Sequence, residues 1–160
     1  MYIIAGSSGT LGSVITEELS KTDDIFIIGR DDHKFKAQAN KYNCNYQVLD
    51  LLNTPEPREF TKIIEPDVEI KGLVNCIGSI LIKPLHGTSI EEFNDVITTN
   101  LFSSYYLMAS FARRMKNGSA IFFSSVAGPK VYLIMKQYLQ LRPVLKDSLD
   151  QQLQPTLKII

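Results

Sequence analysis

Three glycines near the start of the chain, Gly6, Gly9 and Gly12, stand at G-x-x-G-x-x-G spacing between an apolar run, Tyr2–Ala5, and an amphipathic stretch, Leu11–Lys21. At such a strand-to-helix turn, glycines permit the tight turn, the close approach of main-chain N–H groups to a pyrophosphate, and the packing of the helix. A Gly/Ser-rich turn without a ligand is the alternative. The spacing favours a dinucleotide site whose pyrophosphate is held by Gly6, Ser7, Ser8, Gly9, Thr10 and Leu11.

The second apolar run ends in a charged segment that bears on the choice of dinucleotide. Arg30 follows Gly29 directly, and Asp31 comes next. A carboxylate at this strand tip bonds the ribose 2′-hydroxyl of NAD, whereas an arginine suits the 2′-phosphate of NADP. Arg30 therefore favours NADP(H), and Asp31 keeps NAD open. A charged surface loop without a ligand is the alternative interpretation.

Short apolar runs alternate with amphipathic stretches up to about residue 125, as in strands buried on both faces of a parallel sheet and the helices that cover them. The alternation predicts an α/β fold, a Rossmann-type doubly wound parallel sheet of five strands ordered 3-2-1-4-5. The predicted strands are Tyr2–Ala5, Ile25–Ile28, Tyr46–Leu49, Gly72–Cys76 and Ala120–Phe123. The predicted helices are Leu11–Lys21, His33–Tyr42, Pro57–Glu65 and, as one helix or two, Ile90–Lys116.

The composition limits the partners of this 160-residue chain, a length typical of one domain. The 17 Lys and Arg residues balance the 17 Asp and Glu residues, so there is no general attraction to nucleic acid or to an anionic membrane. No apolar run approaches the ~18 residues of a membrane span, and no basic segment precedes the first strand as in a signal peptide. Cys44 and Cys76 lack metal-ligand neighbours and suit a reducing compartment. We expect a cytoplasmic domain without a metal, nucleic-acid or membrane partner.

Four further segments resemble motifs of the short-chain dehydrogenase/reductase family. Val48–Leu51 is similar to the end of the family's third strand, and Leu73–Gly78 resembles the L-V-N-N-A-G motif after its fourth strand. Phe93–Leu101 matches the pattern F-x-x-x-x-x-x-N-l, and Ile121–Gly128 resembles I-x-x-x-S-S-x-A-G. With the glycine turn, the resemblance covers residues 1–128 in order, which we interpret as one dinucleotide-binding Rossmann domain.

The resemblance implies a reaction and roles for individual residues. In the family, a hydride moves between the nicotinamide and a carbonyl or alcohol carbon. A tyrosine is the general acid or base, and because a phenol has an ordinary pKa of about 10, a lysine four residues on and the cofactor must lower that pKa. By their places in the motifs, Ser125 would polarise the substrate oxygen and Asn100 would hold a water that relays the proton. The implied cofactor contacts are Asp50 and Leu51 at the adenine, and Asn75, Cys76 and Gly78 at the ribose and nicotinamide.

Local structural roles are the alternative for several of these residues, and Cys76 and Ile77 depart from the Asn and Ala of the family motif. Asn100 could cap a helix, Asn75 could satisfy main-chain groups at a strand end, and Ser125 could be a turn residue. The functional interpretation is favoured because all of them follow the carboxyl ends of predicted strands, where open α/β sheets bind ligands.

Residues 129–160 form an atypical tail. Tyr138 stands 13 residues after Ser125, at the family's tyrosine position, but Arg142 occupies the place of the lysine. A literal Y-x-x-x-K, Tyr132–Lys136, begins only seven residues after Ser125. The sequence also ends before the family's sixth and seventh strands, so we expect a C-terminally truncated form.

The codons of the tail suggest a reading-frame explanation. When the third base of each codon is read with the first two bases of the next, residues 135–151 allow the string E-A-I-S-A-A-K-A-G-V-E-G-L-T-R-S. This string resembles the family's active-site helix, Y-x-A-S-K-A-A-v-e-G-l-t, with Ile or Val in place of the tyrosine. We therefore hypothesise that residues from about 130 onward are translated out of frame.

Three functions remain open from the sequence. The leading hypothesis is an NAD(P)-dependent oxidoreductase of the short-chain type, acting on a small-molecule carbonyl or alcohol substrate. An NADP(H)-binding module without turnover is the alternative, since the Tyr–Lys pair is incomplete, and a nucleotide-free interaction domain is the third. The sequence does not fix the oligomeric state, and the resemblance leaves a homo-oligomer open, because Ile90–Phe111 includes the helices through which the family often dimerises.

Overall fold

Five parallel strands form one sheet in the computed structural model, which describes residues 1–123. The order of the strands is β3-β2-β1-β4-β5, so the predicted five-stranded Rossmann-type sheet and its strand order are confirmed. The strands are β1 (Tyr2–Ala5), β2 (Ile25–Gly29), β3 (Asn45–Val48), β4 (Gly72–Asn75) and β5 (Ser119–Phe122).

The register brings the carboxyl ends of the central strands level with one another. Ala5 at the end of β1 pairs with Ile28 on one side and with Asn75 on the other. Gly29 at the end of β2 pairs with Val48 of β3. The chain crosses from one side of β1 to the other between β3 and β4, so a crevice forms beyond these strand ends, where doubly wound sheets bind ligands.

Two apolar cores lie on opposite faces of the sheet, since successive side chains of a strand point to opposite faces. Ile4 of β1 packs with Phe35 of the second helix, whereas Ile3 packs with Leu107 and Phe111 of the fifth helix. No helix within residues 1–123 is long and apolar enough to cross a membrane. The helices are α1 (Thr10–Leu19), α2 (Asp32–Tyr42), α3 (Pro57–Phe60), α4 (Ile90–Ile97) and α5 (Ser103–Phe111).

The long helical stretch predicted over Ile90–Lys116 is interrupted by a π-helical turn, Thr98–Phe102, between α4 and α5. Side chains compete there for the main-chain acceptors of the helix. The Asn100 side chain donates to the Val96 carbonyl oxygen (3.0 Å), and the Ser103 hydroxyl donates to the Thr99 carbonyl oxygen (2.6 Å). Such a π turn widens the helix locally and is common at functional sites.

The helix predicted over Pro57–Glu65 is shorter than expected, because α3 ends at Phe60 and a 3₁₀ turn follows over Thr61–Ile63. The Arg114 guanidinium bonds the chain just beyond this end. It donates to the carbonyl oxygens of Thr61 (3.1 Å) and Ile64 (2.7 Å), and also to those of Glu65 and Val68. Arg114 thus holds the segment that follows α3.

Candidate functional site

The glycine turn between β1 and α1 is packed so tightly that two of its glycines have no room for a side chain. Gly6 has φ +79°, a left-handed conformation, and a Cβ there would lie 2.9 Å from the main-chain carbon of Cys76. A Cβ at Gly12 would lie 2.9 Å from Cα of Ser7 and would clash with the Gly6 carbonyl. The first glycine therefore lets β1 approach the end of β4, and the third lets α1 rest on the turn itself.

The N-terminus of α1 opens at the sheet edge with its main-chain N–H groups uncapped. Gly9 is the N-cap residue, and no side chain of the described residues caps the helix there. The first turn of α1 carries no acidic residue, in contrast to α4, where Ser89 and Glu92 form a capping box. The first four N–H groups of a helix have no intrahelical partner, so this end of α1 presents donors and positive potential to an anion.

Ser7 does not present its side chain to that site. It is completely buried, and its hydroxyl donates to Oε1 of Gln38 at 2.6 Å. The Gln38 amide nitrogen in turn donates to the Ser7 carbonyl oxygen at 3.1 Å. Ser7 therefore exposes no group to a phosphate in this structure. Ser8, Gly9, Thr10 and Leu11 are exposed beside it.

A cleft of about 410 Å³ lies beyond the carboxyl ends of the strands. It is bounded by the glycine turn, by the segments that follow β2, β3 and β4, and by Thr99 of the π turn. The residues predicted from sequence that line it are Gly6, Ser8, Gly9, Arg30, Leu51, Cys76 and Gly78. Sequence analysis missed Lys34, Leu49, Ser79 and Thr99, which line it too.

One end of the cleft is cationic. Arg30 is exposed there, and within residues 1–123 no hydrogen bond or ion pair occupies its guanidinium. Lys34, in the first turn of α2, lies on the same wall, with its Nζ 3.7 Å from Oδ2 of Asp31. A second cation four residues after Arg30 was a signal in the sequence that could have indicated Lys34.

Asp31 serves as the N-cap of α2. Its carboxylate accepts a hydrogen bond from the Lys34 main-chain N–H at 3.1 Å. That bond, assisted by the Lys34 charge, holds the pKa of the Asp31 carboxyl below its usual value. The carboxylate is therefore ionised at neutral pH and committed to the helix end.

Beyond β3, apolar side chains rather than a carboxylate form the cleft wall. Leu49 is 4% exposed, and both Leu49 and Leu51 line the cleft. The Asp50 side chain closes the turn instead, because its Oδ1 accepts from the Leu52 N–H at 3.0 Å. The two leucines offer a flat apolar surface of the kind that an adenine ring packs against.

A buried polar network joins the end of β4 to the start of α5. Asn75 is 3% exposed, and its side-chain nitrogen donates to the hydroxyls of Ser103 (3.3 Å) and Ser104 (2.9 Å). Its side-chain oxygen accepts from the Ile77 N–H at 2.9 Å. Asn75 thus fixes the direction in which the chain leaves β4. The residues that follow it, from Cys76 to Ser79, form the cleft wall.

Asn100 is also buried, 5% exposed, and its side chain holds the loop after β4. Its Oδ1 accepts from the Ser79 N–H (3.2 Å), and its nitrogen donates to the Ser79 carbonyl oxygen (3.2 Å) and hydroxyl (3.2 Å). The Ser104 hydroxyl donates to the Asn100 carbonyl oxygen at 3.2 Å. The structure therefore places the Asn100 side chain behind the cleft wall, where it positions Ser79.

Cys76 lines the cleft against Gly6, where the family motif quoted above has an asparagine. Burial raises the pKa of its thiol to about 11. The thiol is therefore protonated at neutral pH, which makes it a poor nucleophile and leaves it as a small apolar wall group.

The match to known sequences decides the family. The sequence model of the short chain dehydrogenase family matches residues 1–139. The chain belongs to this family. The match extends through the glycine turn, the ends of β3 and β4, Asn100 and Ser125, which are the places where the sequence resembles the family motifs.

Curated relatives of the short chain dehydrogenase family share about a third or less of their aligned residues with this chain. A 3-oxoacyl-[acyl-carrier-protein] reductase, FabG, of Buchnera aphidicola is 33% identical over 132 residues, covering 78% of this chain and 54% of its own length. An uncharacterized oxidoreductase of Saccharomyces cerevisiae is 30% identical, covering 79% of this chain and 42% of its own length. The chain thus spans about half the length of these relatives.

Solved structures of the family share the fold. Serine dehydrogenase from Escherichia coli superposes with a TM-score of 0.87 at 22% identity, covering 99% of this chain and 79% of that chain. A short chain dehydrogenase from Shigella flexneri complexed with NADP superposes with a TM-score of 0.86 at 17% identity, covering 98% of this chain and 73% of that chain.

The other predicted catalytic residues lie outside the described residues. This is true of Ser125, and equally of Tyr138, Arg142 and the segment Tyr132–Lys136, for which the sequence left a catalytic role open. Of the predicted catalytic groups, the structure therefore places only Asn100.

Proposed function

We propose that residues 1–128 are the cofactor-binding domain of an NADP(H)-dependent oxidoreductase that acts in the cytoplasm on a small-molecule carbonyl or alcohol. The observation that carries the proposal is the cleft, which joins the uncapped end of α1 to Arg30 and Lys34 across the carboxyl edge of the sheet. A pyrophosphate fits the open N–H groups of α1, and a second phosphate fits the two cations. Family membership supports the reaction class.

The preference for NADP(H) over NAD(H) rests on what Asp31 and its neighbours do. A carboxylate can accept from a ribose 2′-hydroxyl, but that of Asp31 already accepts from the Lys34 N–H and lies near the Lys34 Nζ. The Arg30 guanidinium has five N–H donors, none of them used within residues 1–123. A 2′-phosphate would therefore meet two cations, whereas a 2′-hydroxyl would meet an occupied acceptor.

When bound, the nicotinamide supplies or accepts the hydride, and the chain provides position and proton handling. The leucines after β3 would hold the adenine, and Cys76 and Gly78 would border the nicotinamide side. The Ser125 hydroxyl would donate to the substrate oxygen. We also propose that Asn100 takes part in the proton relay, and this role rests on the family motif alone. In the structure, the Asn100 side chain bonds Ser79 and Val96.

Titration of the full chain with NADPH and NADH tests the cofactor. We expect tighter binding of NADPH, and Arg30→Ala and Lys34→Ala should each weaken NADPH binding by roughly tenfold, about 1.4 kcal/mol, while leaving NADH binding within twofold. Lys36→Ala is the matched control, because Lys36 is exposed on α2 and does not line the cleft. Equal affinity of the wild type for both nucleotides would overturn the preference.

A binding module without turnover is the second candidate, favoured by Arg142 in the place of the lysine. Hydride transfer from NADPH to a panel of carbonyl compounds separates it from an enzyme, and activity that survives Ser125→Ala would remove the role of Ser125. A nucleotide-free interaction domain predicts no NADPH-dependent rise in Tm, whereas a ligand at ~100 times its Kd stabilises by about 2.7 kcal/mol.

We also propose that the tail from about residue 130 is an out-of-frame translation. The support is the family-like string in the alternative frame of residues 135–151. The nucleotide sequence from codon 128 to well past codon 160 tests it. An alternative frame that stays open and encodes two further strands supports the proposal, and an early stop codon in that frame overturns it.

A homo-oligomer through α4 and α5 is the remaining proposal. Ile90 is 71% exposed, Phe93 40% and Tyr105 55%, an apolar set at the surface of these helices. Light scattering coupled to size-exclusion chromatography tests it, and a mass of 18.0 kDa at all concentrations would overturn it.

A further inference from the structure

The reciprocal hydrogen bonds between Ser7 and Gln38 join the glycine turn to helix α2, two segments that border the cleft, through residues 31 apart in sequence. The Ser7 hydroxyl donates to Oε1 of Gln38 (2.6 Å), and Nε2 of Gln38 donates back to the Ser7 carbonyl oxygen (3.1 Å). Gln38 is half-buried on α2, and Ser7 is completely buried in the glycine turn. One side chain thus bonds both a side-chain and a main-chain group of the turn.

Within the glycine turn, the Gly9 N–H donates to the Gly6 carbonyl oxygen (3.1 Å), and the two bonds to Gln38 hold the buried Ser7. Glycine is the most permissive residue of the backbone, and Gly6 and Gly9 flank the Ser7–Ser8 pair. Ser7 has no exposed surface, so water does not replace a lost bond to its hydroxyl or carbonyl. Without Gln38, the turn satisfies these groups only by rearranging.

Gln38 also connects this turn to the cationic end of the cleft. Gln38 and Lys34 are four residues apart on α2, so they lie on one face of that helix. Lys34 lines the cleft at one end and the glycine turn lines it at the other. The helix α2 therefore places the two ends relative to each other through its first turn and through Gln38.

We infer that Gln38 is a positioning residue for the dinucleotide: it holds the glycine turn in register with the cationic end of the cleft, so that one ligand can bind both. This inference rests on the proposed binding of NADP(H). Gln38 itself does not line the cleft, and so acts through Ser7.

Isothermal titration calorimetry on the full chain tests it with two ligands. NADPH contains a pyrophosphate and therefore uses both ends of the cleft, whereas adenosine 2′-monophosphate lacks the pyrophosphate and uses only the cationic end. Gln38→Met keeps the length of the side chain and removes both hydrogen bonds. We expect it to weaken NADPH binding about tenfold and to leave the binding of adenosine 2′-monophosphate within twofold.

Two further variants test whether the effect of Gln38→Met comes from its contact with Ser7. Ser7→Ala removes only the hydroxyl bond and should show the same selective loss to a smaller degree, and combining it with Gln38→Met should add nothing further, since both act through one contact. Gln47→Met is the chemically matched control, because the Gln47 amide bonds only the adjacent Val48 carbonyl oxygen and lies outside the cleft.

The outcomes separate the inference from the proposed function. Wild-type chain that binds neither ligand overturns both. Wild-type chain that binds NADPH, with Gln38→Met binding it equally well, overturns the positioning role alone. A Gln38→Met variant that loses both ligands to the same degree also overturns it, because a general loss of structure moves both affinities. Selective loss of NADPH, with Gln47→Met unchanged, supports it.

Discussion

Alkylation of Cys76 reports on the wall of the cleft and on its occupant in one experiment. Burial raises the pKa of this thiol from 9.0 to about 11, so at pH 8 its reactive thiolate is about a hundredfold scarcer than for an unshifted thiol. Iodoacetamide should therefore label Cys76 slowly, with a rate that rises about tenfold per pH unit until pH 11. Unfolding in urea should remove this protection.

NADP⁺ should slow the labelling further, because Cys76 lines the cleft that we assign to the cofactor. At 100 times its Kd, the ligand leaves about 1% of the clefts free, which predicts a further slowing of about a hundredfold. Cys44 is the internal control, since burial raises its pKa too but it lies outside the cleft. Peptide mass spectrometry after quenching gives the rate for each cysteine separately.

Two results would refute this reasoning. A Cys76 labelling rate that levels off at pH 9 or below would contradict the burial of the thiol. Equal slowing of Cys76 and Cys44 by NADP⁺ would contradict the place of the ligand.

The raised pKa of Cys76 also makes the free energy of unfolding depend on pH. Between pH 9 and pH 11 the Cys76 thiol keeps its proton in the folded chain and loses it in the unfolded chain. The contribution of Cys76 is therefore fully present below pH 9 and is lost as the pH rises to about 11.

Two further predictions concern stability. Arg114→Ala removes a guanidinium that bonds four main-chain carbonyls, so we expect a loss of about 3 kcal/mol in the free energy of unfolding in urea. Arg113→Ala, at an exposed neighbour, should change that free energy by less than about 0.5 kcal/mol, and equal effects would contradict the assigned bonds. Asn75→Ala removes the acceptor of the Ile77 N–H and the donor to the Ser103 and Ser104 hydroxyls, which keep their own bonds to main-chain carbonyls. We expect a cost of about 2 kcal/mol and faster amide hydrogen exchange at Ile77, and unchanged exchange would contradict the role of Asn75.

The sheet could be predicted because its signals are local. Each strand is a short apolar run between helices with apolar residues at helical spacing, and the glycine spacing marks the turn between β1 and α1. The strand order was predicted from the Rossmann-type fold that these signals indicate, and the structure confirms it.

Polar contacts between distant segments could not be predicted. The sequence does not distinguish a polar side chain that bonds another segment from one that is hydrated at the surface. Gln38 and Arg114 carry no local signal, yet one bonds the glycine turn and the other bonds the segment after α3. Ser7 was assigned to the pyrophosphate by its place in the motif, and its side chain points to Gln38 instead. The π turn that carries Asn100 depends on side-chain bonds to carbonyls four residues back, which helical periodicity does not reveal.

The packing of Gly6 against Cys76 has a consequence for the way the chain is made. Tyr2 of β1 pairs with Gly72 of β4, so the wall behind the glycine turn is synthesised about 70 residues after the strand it completes. At 5–20 residues per second, translation takes about 3.5 to 14 s to go from β1 to β4. Until then, β1 has a partner on one side only, in β2, and the nascent chain has no cleft to offer a nucleotide.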